Sequence, residues 1–173
     1  MKQLTLKPQD LLVTVKIAVN KGRSFTYADL AAETFMSSSE VHAAVGRAEQ
    51  CRLLSKSEIG LADMRLSLQD FLLHGIQYCF PAQLGTLTRG IPTGVAGPVL
   101  KHLFERSESL PPVWPHPEGK VRGMTLVPLY PSVPRACLVD DRLYEVMTLI
   151  DAIRGGAARE REIGKTALLE KLA

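Results

Sequence analysis

Between Ser37 and Gln50 the sequence SSSEVHAAVGRAEQ collects side chains that can hydrogen-bond without occupying much space. Serine and glutamine both donate and accept, histidine offers two ring nitrogens, and arginine a five-donor fork. Groups of these types reach base edges and phosphate oxygens in double-stranded DNA. On a helix of 3.6 residues per turn, Val41, Val45 and Ala48 fall on one line with Ala44 beside them. The opposite line carries Ser39, Ala43, Gly46 and Gln50, flanked by His42 and Arg47, and holds no bulky apolar residue. A glycine in mid-helix weakens the helix, yet Gly46 would let a backbone or phosphate approach closely. An ordinary solvated helix also has a small polar face, so the surrounding elements must decide between the two readings.

No comparable set supports catalysis. His42, His74, His102 and His116 are scattered, and none stands three or four residues from another histidine or a cysteine. Metal-ligand spacing is therefore missing. No GxSxG or cysteine–histidine motif stands out. Gly90, Gly94 and Gly97 have the wrong spacing for a dinucleotide fingerprint. Gly164-Lys165-Thr166 resembles the end of a P-loop, but Arg159 occupies the place of its first glycine. Asp140-Asp141 reads better as a helix cap than as an acid/base pair, and Cys51 has no lysine cluster to lower its pKa. These residues argue against an enzyme, a metal and a cofactor.

The elements around the Ser37–Gln50 stretch favour a DNA-binding arrangement. PQDLLVTVKIAVN, residues 8–20, predicts an amphipathic helix with Pro8 at its start and Asp10 in the first turn. Leu11, Leu12, Val15, Ala18 and Val19 form its stripe. Thr26 and Asp29 make a capping box for a second helix, Tyr27–Thr34. Phe35-Met36-Ser37 is a short turn, Ser37 or Ser38 caps the third helix, and Glu40 suits its dipole. After Cys51, Leu53-Leu54-Ser55-Lys56, a turn at Ser57–Gly60 and a second run at Met64–Leu68 predict a hairpin, or wing. Lys56 and Arg65 would reach the DNA backbone from it. Helix, helix, turn, helix and hairpin in this order form a winged helix-turn-helix, whose second turn-flanking helix enters the major groove.

Residues 8–56, through PQDLLVTVKIAV and FTYADLAAETFMSSSEVHAAVGRAEQCRLLSK, resemble the winged helix-turn-helix of bacterial transcription regulators of the MarR type. The resemblance covers about a third of the chain. It implies a homodimer on a near-palindromic operator, acting as a repressor, with Ser38, Ser39, His42, Ala43 and Arg47 as groove contacts. The wing departs from the family in being short and lightly basic.

Composition changes after QDFLLHGIQYCF, residues 69–80, which predicts a helix with Phe71, Leu72, Ile76 and Cys79 or Phe80 inward. PAQLGTLTRGIPTGVAGP has no helical period and reads as a structured loop or hinge. A short helix follows at 99–106, then an exposed polyproline-like loop, SESLPPVWPHPEG, at 107–119. Trp114 there is either a partner anchor or a staple to its own domain. RGMTLVPLY, residues 122–130, predicts a strand that Pro128 confines to an edge. Asp140 or Asp141 caps a helix with Leu143, Val146, Met147, Ile150 and Ile153 on one stripe, and a last helix spans 157–172. Arg154, Arg159 and Arg161 are a salt-paired solvated face or a docking patch for phosphate or an acidic partner.

The back half, from GIPTGVAGPVLKHL through VRGMTLVPLYPSVPRACLVDDRLYEVMTLIDAIRGGAARERE, is similar to extensions on winged-helix proteins of bacterial toxin–antitoxin and abortive-infection loci. That resemblance implies an antitoxin or autorepressor and a toxin partner protein.

The expected fold is therefore mainly α with a small β component (α+β). A winged helix-turn-helix at 1–80 precedes a regulatory, dimerising or partner-binding unit at 81–173, helical with a short strand. The 173 residues are 46% hydrophobic, enough for a folded core. With 21 basic and 18 acidic residues, net +3, total charge gives little support to nucleic-acid binding, so placement of charge must carry it. Cys51, Cys79 and Cys137, odd in number and widely spaced, suggest reduced thiols in the cytoplasm. No run is long enough for a membrane span, and no signal-peptide core is visible. DNA regulation and toxin neutralisation are the two leading functions, with a ligand-binding or enzymatic domain using the glycine-rich loop ranked third.

Overall fold

Helix α1 (Pro8–Val19) is the axis on which the chain is assembled, and it is buried from Asp10 through Ala18. One apolar stripe was expected. Instead α1 packs against α2 (Tyr27–Thr34) and α3 (Ser38–Gln50) as well as against α8 (Asp141–Gly155) of the back half. Val13, Ile17 and even Lys16 are covered as a result. The computed structural model describes residues 5–57, 60–104 and 109–173.

The helix starts obey their caps. In α2 the Asp29 amide donates to Thr26 Oγ1 at 3.0 Å, and the Thr26 amide donates to the Asp29 carboxylate at 2.9 Å. Ser37 and Glu40 repeat the reciprocal pair at α3, at 3.3 and 2.9 Å. Between the helices Phe35 adopts a left-handed conformation (φ 54°), and Met36 is buried beneath the turn. Strands β1 (Leu54–Ser57) and β2 (Gly60–Asp63) then pair antiparallel, Ser57 opposite Gly60. The middle of the expected Ser57–Gly60 turn lies outside the described residues.

The second strand was expected at Met64–Leu68, but a helix, α4 (Arg65–Asp70), begins there. The tight register of the hairpin completes the pairing at Asp63, which leaves the next residues free to turn helical. A π-helical turn at Phe71–Gly75 joins α4 to α5 (Ile76–Cys79). Leu72 and Ile76 point inward as expected, whereas Cys79 is exposed.

Glycine determines the next unit. The stretch read as a loop contains a nine-residue strand, β3 (Leu84–Pro92), and the proline-rich loop after it contains β4 (Pro112–Pro115). β5 (Val121–Leu126) completes a closed three-stranded sheet in which β3 runs antiparallel to both partners and β4 runs parallel to β5. A Cβ on Gly90 would lie 1.9 Å from the Trp114 carbonyl oxygen, and one on Gly123 would lie 2.0 Å from that of Pro111. Backbones approach there more closely than any side chain permits. β5 ends at Leu126, short of the expected 130, because Pro128 has no amide to continue the ladder. The expected helix at 99–106 is observed as α6 (Lys101–Phe104), and residues 105–106 lie outside the described ones.

A helix absent from the sequence reading, α7 (Val133–Leu138), leads to α8 and then α9 (Ala158–Lys171). Asp140 is the cap of α8, accepting from the Leu143 amide at 3.1 Å. Its other oxygen takes the buried ammonium of Lys16, which also meets Glu33 of α2 at 2.7 Å. The described residues are thus mainly helical with two small sheets, and one apolar cluster from Leu11 to Leu172 joins the two halves of the chain.

Candidate nucleic-acid interface

α3 presents the surface that its sequence encodes. Val41, Ala44, Val45 and Ala48 are buried against α1, while Ser38, Ser39, His42, Ala43 and Gln50 are exposed. Open space surrounds the position of a Cβ on Gly46. The back half could have covered Ser39, Ala43 and Gln50, and it does not. Ser37 is exposed as well, but its hydroxyl serves the helix cap and lies 3.2 Å from that of Ser39. Glu40 accepts from Ser37 and from the Tyr130 hydroxyl, at 2.8 Å. The Ser37 side chain, then its amide, then Tyr130 hold the Glu40 carboxyl down at about 2, so it stays ionised.

Arg47 does not join this face. Its Nε and Nη2 donate to the two carboxylate oxygens of Asp10, at 2.8 and 2.7 Å. Asp10 is fully buried and also accepts the Lys7 amide at 2.8 Å. An ionised carboxylate without water requires a paired cation, and Arg47 on the flank of α3 supplies it. The expected groove contact is therefore the bolt that fixes α3 to α1. Hydrogen bonding to Asp10 raises the Arg47 pKa further. Arg65 likewise departs from its expected role. It pairs with Asp63 at 2.9 Å and donates to the Ala18 carbonyl at 2.9 Å, which ties α4 to the end of α1.

Exposed cations nearby include Lys56 on β1 and Arg52, which follows α3 in a left-handed conformation (φ 59°). Sequence reasoning did not single out Arg52. It also missed Tyr27, whose ring stacks flat on His42 with centroids 3.9 Å apart and planes 3° from parallel. The Lys56 ammonium lies 5.6 Å from the centre of the same ring. Three elements thus contribute to one row: α2 through Tyr27, α3 through His42 and the hairpin through Lys56. An aromatic residue directly after the Thr26 cap was the available signal.

The proposed partner-binding residues are dispersed. Trp114 is fully buried, and its indole N–H donates to Asp151 at 2.6 Å. Thr93 and Arg154 also donate to Asp151, each at 2.7 Å. Arg154 reaches on to the carbonyls of Phe80 and Val127, at 3.1 and 2.6 Å. Burial pushes the Asp151 carboxyl up, and these donors, Arg154 foremost, pull it back. Trp114 and Arg154 therefore staple the sheet to α8 from inside and cannot form an outer patch. Arg161 donates to Gln77 at 2.6 Å, and Arg159 is exposed.

Among the described residues no group of histidine, cysteine and carboxylate side chains could hold a metal ion. Nor is any helix among them long and apolar enough to cross a membrane. No family model matches the chain, and no curated protein or solved structure gives a significant match.

Proposed function

We propose that the chain is a sequence-specific DNA-binding transcriptional regulator, a repressor, built on a winged helix-turn-helix of the MarR type. In this reading α2 is the scaffold helix, α3 the recognition helix and β1–β2 the wing. The observation that carries it is the exposed, unencumbered outer line of α3, from Ser38 to Gln50, on a helix anchored from behind by Arg47 and Asp10. Ser38, Ser39, His42 and Gln50 hydrogen-bond base edges, Ala43 meets a thymine methyl, and Gly46 admits the groove wall. Arg52 and Lys56 neutralise phosphates. Two copies on a near-palindrome would double this modest surface.

Fluorescence anisotropy with a duplex from upstream of the protein's own gene, against a scrambled duplex of equal length, tests the reading. Gln50→Ala or Ser39→Ala should cost about 1–3 kcal/mol on the specific duplex and little on the scrambled one. Equal affinity for both duplexes would refute sequence-specific recognition.

One observation favours a second reading, in which the back half neutralises a partner protein such as a toxin. Leu87 and Met124 face each other across β3 and β5, both exposed, and Leu84 on the same strand is 72% exposed. Exposed apolar clusters of this kind mark protein contacts. Co-purification with the product of the adjacent gene, lost on Leu87→Asp, tests it. The two functions are compatible in one chain.

A further inference from the structure

The start of α3 is where the back half touches the reading head. Beyond the Tyr130–Glu40 hydrogen bond, the guanidinium of Arg135 on α7 lies 4.0 Å from the centre of the Phe35 ring. Phe35 is the left-handed residue of the turn between α2 and α3, and α7 packs on α2. Arg135 is exposed, and none of the ion pairs among the described residues involves it. A guanidinium stacked on a ring keeps the N–H donors around its edge available.

Geometry decides what that edge meets. A helix with its side chains is about 10–12 Å across and the major groove about 12 Å wide, so a recognition helix fills the groove. Groups just outside its N-terminal end then lie against the phosphate rows. Charge points the same way. Arg47 and Arg65 are taken up by Asp10 and Asp63, and Glu40 places an ionised carboxylate at the α3 start. A phosphate would be repelled there unless a cation stood beside it.

Building on the DNA-binding reading above, we infer that Arg135 is a phosphate contact and that the DNA-binding surface continues from the N-terminal elements onto α7. The back half is then part of the reading surface. Phe35 acts as the platform that orients the arginine.

The test is the salt dependence of binding to the upstream duplex, measured by anisotropy between 50 and 200 mM salt, for the full chain and single variants. Losing one phosphate contact from each copy shrinks the affinity lost over that fourfold range by roughly 3.5-fold per copy. Arg135→Ala should show this shrinkage on specific and scrambled duplexes alike. Arg135→Lys, which keeps the charge but not the flat stack, should restore the slope. Arg122→Ala, a cation exposed on β5, should leave it unchanged. An unaltered slope in Arg135→Ala overturns the inference while leaving the DNA reading intact. So does weaker binding in both Arg135 variants without a change of slope, which would make the arginine a support for the turn. Failure of the unaltered protein to bind any duplex overturns the DNA reading, and this inference with it.

Discussion

Replacing Arg47 with alanine separates a structural ion pair from a base contact. The substitution strands the Asp10 carboxylate, which is fully buried and left with the Lys7 amide as its hydrogen-bond donor. Removing one partner of a buried pair costs about 3–5 kcal/mol. The lower end applies because the Arg47 side chain is 19% exposed, so water can follow it in. A loss of about 3 kcal/mol lowers the melting temperature by about 6–12 °C in a chain of this size. Asp10→Ala removes a helix-capping group as well, at about 2 kcal/mol, but releases Arg47 toward solvent. The double variant should therefore be scarcely worse than Arg47→Ala, a coupling of about 2 kcal/mol. Urea unfolding followed by circular dichroism, run as a double-mutant cycle, measures all three. A change below about 0.5 kcal/mol in Arg47→Ala, the ordinary value for a surface residue, would refute the reasoning. So would additive single variants.

Further outcomes follow from other contacts. Tyr27→Leu removes the ring under His42 and should weaken specific DNA binding by about 1 kcal/mol, whereas Tyr27→Phe keeps the stack and the affinity. Trp114→Phe deletes one of the three side-chain donors that buried Asp151 has among the described residues and should destabilise by about 2 kcal/mol in urea unfolding. Glu40 has its carboxyl lowered from 4.5 to about 2, so its contribution is complete above pH 4.5 and is lost as pH falls toward 2. Stability followed by circular dichroism from pH 5 to 2 should thus fall less steeply in Glu40→Gln than in the unaltered protein, and the two should run parallel above pH 5.

Local signals were legible and distant ones were not. Thr26 with Asp29, and Ser37 with Glu40, mark their helices because a capping box is a four-residue event. The α8 stripe from Leu143 to Ile153 is periodic and was readable for the same reason. β3 was hidden because Gly85 and Gly90 break its alternation, and their purpose appears only when β4 and β5 come alongside. The stretch that forms α7 was given no element, because a proline inside six residues breaks the helical pattern; Pro134 in fact lies in the first turn, where its missing amide costs nothing. On the candidate interface, the outer line of α3 could be projected from 3.6 residues per turn. The fate of Arg47 could not, because Asp10 lies 37 residues earlier, and the same holds for Trp114 and Asp151.

Converting the bare face of α3 into an acidic one tests the central claim most directly. Ala43 is exposed with no role in the core, so Ala43→Glu should leave the urea midpoint unchanged. If that surface meets DNA, a carboxylate there repels phosphates and has no partner in the groove floor. Anisotropy at fixed salt should then show binding to the upstream duplex lost by roughly tenfold or more, the scale of one mismatched base contact. A folded Ala43→Glu variant that binds the duplex as tightly as the unaltered protein would contradict the account.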